Sequence, residues 1–337
     1  MPLYSKARKT TQVRQFTISK GSLNPNRNLF ISTPPIIHPK FGYLYYIHKK
    51  EKFMKWKGRR QSGNINNAGR GGGRGGMALG GGGIILALVI FLITGDPFTA
   101  LESTTKTAPQ TQQEEYVMTQ AEKDLYEYSA VVLADTEDAW SEILGKEGIN
   151  YTPAKMDIFK DAINTGCGFA QAGTGPFYCS VDNKVYMDLS FFNNLVNDFG
   201  AKNGDFIVSY VISHEIGHHV QNVTGIMDQY QKLMQKLPEK ERNALTVRLE
   251  LQADYLAGVV ARYQHDKGYL DDGDIDEAIS TAWVIGDDAI QKKGQGYVVP
   301  ESYTHGTSEQ RVRWYQKGFQ AGDLSEWDTF NLDPSQL

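Results

Sequence analysis

Apolar residues recur at helical spacing in three long stretches of the chain, with one short alternating run between the first and second. Leu125, Tyr128, Val132, Leu133, Trp140, Ile143 and Leu144 fall three or four apart and predict an amphipathic helix starting near Gln120. From Lys184 to Phe192, Val185, Met187 and Leu189 alternate with Tyr186, Asp188 and Ser190, the period of a strand. Phe206, Ile207, Val208, Val211, Ile212, Ile216 and Val220 are too closely spaced for one exposed face, so the helix ending at Gly225 is predicted to be buried. A further helix spans 241–258, with Leu245, Leu249, Leu256 and Val259 as its apolar stripe. Beyond Gly204 nearly every signal is helical, so the predicted class is α+β: mostly helices with a small sheet.

The N-terminal part follows different rules. Residues 1–53 show neither period and are assigned no fold; Met54, just before Lys55-Trp-Lys-Gly-Arg-Arg60, offers an alternative start. Residues 1–75 hold 16 of the 35 Lys and Arg but a single acid, Glu51, leaving 19 basic against 38 acidic residues beyond. The run 77–95 carries no charge and is long enough for one transmembrane helix. Arg70 and Arg74 precede it and Asp96 and Glu102 follow, so the positive-inside bias places 54–76 in the cytoplasm as a flexible basic Gly/Arg-rich stub. On this reading 96–119 is a linker, 120–325 a domain outside the cytoplasmic membrane, and 326–337 a tail. Nucleic-acid binding by the basic stub is not expected, because juxtamembrane charge serves topology and anionic lipid.

Cysteine usage agrees with export. The only two, Cys167 and Cys179, flank a Gly-rich loop that a disulfide can close, with a gain of roughly 3 kcal/mol from chain entropy.

The chemistry concentrates in His214-Glu215-Ile216-Gly217-His218, an H-E-x-x-H on the predicted buried helix. Residues four apart share a helix face, so both imidazoles can reach one zinc ion, and Glu215 lies one position round, where a base can take a proton from activated water. Two imidazoles need a third protein ligand. Gln221 and Thr224 stand where a longer histidine motif would require Gly and His, which excludes that subclass. Glu250 and Asp254 lie four apart on the next helix, and two acids on a largely buried face need a positive partner. Glu250 is therefore assigned as the third ligand, with Asp254 accepting the outer N–H of a ligand histidine. The bland alternative pairs Glu250 with Arg248 or Lys240 at the surface. His219, about 100° round from His214 and His218, reads as structural, and Asp274-x-x-Glu277 reads as a helix capping box rather than a calcium loop.

H-E-x-x-H followed by Glu-x-x-Ala-Asp on a later helix resembles the gluzincin zinc peptidases, which include membrane-associated CAAX-processing and stress-response proteases. More closely, the chain from about Met54 to Phe319 resembles the bacterial neutral zinc metallopeptidase family. The resemblance rests on Lys55 to Arg60, the apolar span, Gly175-Pro-Phe-Tyr-Cys179, Tyr186 to Phe192, the HEIGHH run, Glu250 to Asp254, Gly286-Asp-Asp288 and Thr304-His-Gly-Thr-Ser-Glu-Gln-Arg311. Ser180 replaces the Pro that usually follows the second Cys, which bears on the Cys loop and not on the zinc assignment. The resemblance implies a zincin-like fold, a peptide or protein substrate and one Zn2+. It also implies a role for His305, since Thr304-His305 with Arg311 is similar to the Thr-His-Pro...Arg signature of the CAAX-type enzymes, with Gly306 in place of Pro. There His305 would stabilise the oxyanion, and Arg311 would pair with a buried acid such as Asp254, Asp287 or Asp288. The strand near 184–192 would be the edge for an extended substrate. The expectation is a membrane-anchored zinc peptidase with Glu215 as base; the alternative is a zinc-stabilised envelope binding or assembly protein that cleaves nothing.

Overall fold

In the computed structural model, residues 55–72 and 112–337 are described. The elements in chain order are β1 (Ile65–Gly72), β2 (Gln112–Glu114), α1 (Gln120–Lys146), β3 (Lys155–Lys160), β4 (Ala162–Thr165), β5 (Gly168–Gln171), β6 (Phe177–Cys179) and β7 (Lys184–Asp188). Then come α2 (Ser190–Asn194), α3 (Phe206–Val223), α4 (Ile226–Met234), α5 (Glu239–Asp266), α6 (Asp274–Val284), α7 (Asp287–Gln295) and α8 (Ser308–Ala321). The predicted α+β class matches this order. The apolar run 77–95 lies outside the described residues, and among those described no helix is long and apolar enough to cross a membrane.

Five strands form one sheet in the order β2-β1-β3-β7-β6, with β1, β3 and β7 parallel and β2 and β6 antiparallel to their neighbours. The period of two divides β3 and β7 between two cores. Met156, Ile158, Val185 and Met187 face the helices, while Phe159 and Tyr186 pack on the other side with Ile163, Ala170 and Cys179. The alternation read around Val185 is correct as far as Asp188, after which the chain turns into α2. One expectation fails here: β7 has β3 on one side and β6 on the other, so the edges of the sheet belong to β2 and β6.

The segment read as a flexible basic stub is part of the fold. β1 pairs with β3 from Ile65↔Met156 to Arg70↔Lys160 and with β2 from Arg70↔Glu114 to Gly72↔Gln112. The stretch 112–114, read as linker, is therefore a strand. Ahead of β1, Arg59 pairs with Asp135 and stacks on Tyr269, with its guanidinium carbon 3.4 Å from the ring centroid. Arg60 donates to Glu137 at 3.0 Å and to Asp138 at 2.8 Å, and Ser62 and Asn64 also donate to Glu137. Asp135 and Glu137 are buried acids of α1, and the basic residues supply the positive partners that burial requires.

The helices close over the sheet. Thr119 starts α1 with a capping box, its hydroxyl accepting from the Glu122 amide while Glu122 accepts from the Thr119 amide. In α6 the N-cap is Gly273 rather than Asp274, and Glu277 accepts from the Phe206 amide at 3.1 Å, capping α3 instead of its own helix. α5 and α8 cross closely because Gly258 and Gly318 sit at the contact: a Cβ on Gly258 would lie 2.0 Å from the Tyr315 carbonyl oxygen. Residues 326–337, read as a tail, belong to the domain: Arg248 donates to the Thr329 and Leu332 carbonyls, and the Thr329 hydroxyl donates back to the Arg248 carbonyl at 2.6 Å.

Candidate metal centre

α3 and α5 face each other at Gly217, where a Cβ would stand 3.1 Å from the Ala253 carbonyl oxygen and 3.3 Å from Leu256 Cβ. A larger residue would push the helices apart. Glycine inside a helix costs about 1 kcal/mol relative to alanine, and the close approach explains its presence. The approach brings His214 and His218 of α3 against Glu250 of α5. His214 Nε2 lies 3.1 Å from Glu250 Oε2 and His218 Nε2 lies 3.5 Å from Glu250 Oε1. One donor atom from each of the three residues falls within 4.8 Å of the others. The two imidazole rings stand nearly perpendicular, at 87°, with centroids 4.9 Å apart.

The outer nitrogens are engaged elsewhere, which decides what the inner ones can do. His214 Nδ1–H donates to Asp254 Oδ1 at 2.9 Å, and His218 Nδ1–H donates to Gln221 Oε1 at 2.9 Å. Both rings therefore turn Nε2 toward Glu250, where its lone pair becomes available once the ring gives up its proton. Two imidazole nitrogens and one carboxylate form a donor set suited to zinc, which in catalytic sites takes a fourth, non-protein ligand. Lys240 pairs with Glu301 and Arg248 with the C-terminal segment, so neither takes Glu250.

The electrostatics favour positive charge at this centre. Burial alone would lower the His214 pKa, but the Asp254 carboxylate and the bonds to Asp254 and Glu250 raise it to about 10. Burial would raise Asp254, yet Arg311 and His214 hold it down at about 2. Burial would also raise Glu250, and His218 and His305 keep it well below the usual carboxylate range. A divalent cation would take the place of the protons that the imidazoles otherwise hold.

Asp254 is the hub behind the ligands. It is fully buried, and its Oδ1 accepts from the Tyr210 hydroxyl at 2.6 Å, from His214, and from Arg311 Nη2 at 3.0 Å, while Oδ2 accepts from Arg311 Nε at 2.9 Å. The acid partner expected for Arg311 is therefore Asp254. Asp287 instead organises a loop, its Oδ2 accepting the consecutive amides of Thr304, His305 and Gly306 at 2.7, 2.7 and 2.9 Å. That loop carries His305, whose Nδ1 lies 3.4 Å from Asp287 Oδ1 and whose ring is near enough to Glu250 to help hold that carboxyl down. Gly306, at φ +92°, lies so close to α5 that a Cβ there would stand 3.2 Å from Leu251 Cδ2 and 3.3 Å from Val247 Cγ1, on either side of Glu250 in sequence.

Glu215 is buried on the same helical turn, close enough to His218 to raise its proton affinity. His219 points elsewhere: its ring bonds the Tyr178 hydroxyl at 2.9 Å and the Thr152 carbonyl at 2.7 Å, which ties α3 to the edge strand β6. Cys167 and Cys179 are joined in a disulfide beside that strand. Sequence reasoning missed Tyr210 and Gln221, four before His214 and three after His218. The available signal was a polar side chain sharing a helix face with a ligand on an otherwise apolar helix.

Comparison with known proteins supplies the family. The chain is 39% identical over 297 residues to the "Uncharacterized protein YpfJ" of Escherichia coli K12, covering 82% of this chain and 99% of that protein. It is 42% identical over 191 residues to the "Uncharacterized protein Mb2605" of Mycobacterium bovis, covering 54% of this chain and 64% of that protein. No solved structure matches the chain. The family described as "Putative neutral zinc metallopeptidase" matches residues 54–330, which take in β1, the ligand helices and the His305 loop, and the chain belongs to that family.

Proposed function

We propose that the chain hydrolyses peptide bonds of a protein or peptide substrate, with one zinc ion held by His214, His218 and Glu250. The observation that carries this reading is the convergence of two imidazoles on Glu250 with both Nδ1 protons engaged by Asp254 and Gln221. Zinc, when bound, would lower the pKa of water and polarise the scissile carbonyl. Glu215 then acts as general base, accepting the water proton and passing it to the leaving amine. His305, held by Asp287, donates to the carbonyl oxygen as negative charge develops on it. Asp254 and Arg311 keep the His214 ring in place throughout. The disulfide supports a location outside the cytoplasm. Because β1 is part of the sheet, residues 55–72 would share that side.

The test pairs metal analysis of the full chain with a proteome-derived peptide cleavage screen. Glu215→Gln should keep about one zinc per chain and lose about 10²- to 10⁴-fold in hydrolysis. Undiminished cleavage by that variant would refute the role of Glu215, and a full chain without zinc would refute the metal assignment.

A further inference from the structure

Gln221 and Gln252 are buried amides, each fully shielded from solvent, that the peptide-cleavage reading does not use. Gln221 Nε2 donates to the Leu249 carbonyl at 2.7 Å and to Gln252 Oε1 at 3.0 Å, while its Oε1 accepts from His218. Gln252 Nε2 in turn donates to the Trp327 carbonyl at 3.0 Å. The direction of this relay follows from its ends. A backbone carbonyl only accepts, so Trp327 requires the NH2 side of Gln252 and leaves its Oε1 toward Gln221. The Leu249 carbonyl demands the NH2 side of Gln221 independently. A flipped Gln221 would set its Oε1 against two acceptors and its NH2 against His218.

We infer that Gln221 and Gln252 are positioning residues that fix the tautomer of His218 from the C-terminal segment, so that metal retention depends on residues 323–337. The segment is well placed for this. Tyr255 donates to the Asp323 carbonyl at 2.9 Å, and Arg248 donates to Thr329 and Leu332, so positions 248, 252 and 255 of α5 hold the segment while 250 and 254 face the metal centre. The two ligand imidazoles are thus oriented by different chemistry, a carboxylate paired with arginine for His214 and a neutral amide relay for His218. A neutral acceptor sets the ring without adding charge, leaving Glu250 as the anion nearest His218 Nε2.

The inference rests on His218 being a ligand, and two readouts separate it from that reading. Gln221→Met and Gln252→Met, chosen to conserve volume, would be made in the full chain and stripped of metal. Zinc alone would be titrated against a chromophoric chelator, and 15N-imidazole shifts of His218 read in the metal-free protein at alkaline pH, where the ring is neutral. The wild type should show His218 protonated on Nδ1. Gln221→Met should show mixed tautomers and a zinc affinity lower by about 10- to 100-fold. Gln252→Met, which leaves the Leu249 anchor, should lose less but measurably. If Gln221→Met fails to fold, Gln252→Met alone carries the test through the same two readouts. Wild-type affinity within about twofold together with an unchanged His218 tautomer in the folded variants overturns the relay. A wild type that takes up no zinc yet keeps the Nδ1–H tautomer would overturn the metal reading and leave the relay standing.

Discussion

Arg311 and Asp254 form a buried two-point ion pair, Nε to Oδ2 at 2.9 Å and Nη2 to Oδ1 at 3.0 Å, directly behind the first imidazole of the metal centre. The same Asp254 oxygen that takes Arg311 Nη2 also takes His214 Nδ1–H, so the arginine, 57 residues further along the chain than Asp254, helps to place the histidine. Removing the guanidinium would leave a buried carboxylate with only Tyr210 and His214. Arg311→Met is expected to destabilise the metal-free protein by about 3–5 kcal/mol in denaturant unfolding. A loss below about 1 kcal/mol would mean the pair contributes no more than an exposed one.

The division between what the sequence reveals and what it hides follows sequence distance and chemical type. His214, Glu215 and His218 declare themselves because helix geometry converts a spacing of four into a shared face. Glu250 and Asp254 are recognisable because acids on a buried helix demand a partner. Gln221 and Tyr210 give only the weaker signal of a helix face shared with a ligand, and Gln252 gives none, since a neutral polar residue in a helix is unremarkable until its partner is known. β1 is hidden for another reason. Ile65-Asn-Asn-Ala-Gly-Arg-Gly-Gly72 lacks the alternation of a strand, and its pairing comes from β2 and β3 on either side rather than from its own propensity. Arg59 and Arg60 read as a free basic patch because their partners, Asp135, Glu137 and Asp138, lie at least 76 residues away.

The role of the N-terminal segment leads to a second prediction. A chain beginning at residue 105 lacks β1 and leaves Asp135 and Glu137 without arginine partners, so it should be markedly less stable than one that keeps 55–72. Because Gly72 pairs with Gln112, a short glycine-serine turn replacing 73–111 should restore the hairpin. Cooperative unfolding and circular dichroism of the two chains decide the matter; equal stability would show that β1 is dispensable. Within the restored chain, Arg59→Ala should cost about 3–5 kcal/mol, since it strands a buried acid.

The disulfide gives a third. Cys167–Cys179 spans a separation of 12 residues that includes β5 and leads into the edge strand β6, which Tyr178 ties to α3 through His219. Replacing both cysteines with alanine should lower unfolding stability by roughly 3 kcal/mol, and a reductant should do the same to the parent and nothing to the variant. A parent whose melting is indifferent to reductant would show that the loop is held without the bond.

The last concerns pH and the same tie. Burial lowers the pKa of His219 by more than its bond to the Thr152 carbonyl raises it, so the folded ring binds a proton more weakly than the unfolded one, whose pKa is about 6.5. The sign follows: the stability owed to neutral His219 is fully present above about pH 6.5 and is lost as pH falls through the folded value. His219→Gln keeps a polar partner for Tyr178 and does not titrate. The stability difference between wild type and His219→Gln, measured on metal-free protein so that zinc loss does not intrude, should therefore be larger at about pH 7.5 than at about pH 5.5. A constant difference would show that folding leaves the proton affinity of the ring unchanged, and one that grows toward acid would show that the ring is charged in the fold. The contact between α3 and β6 would then be an ion-dipole interaction rather than a neutral hydrogen-bonded one.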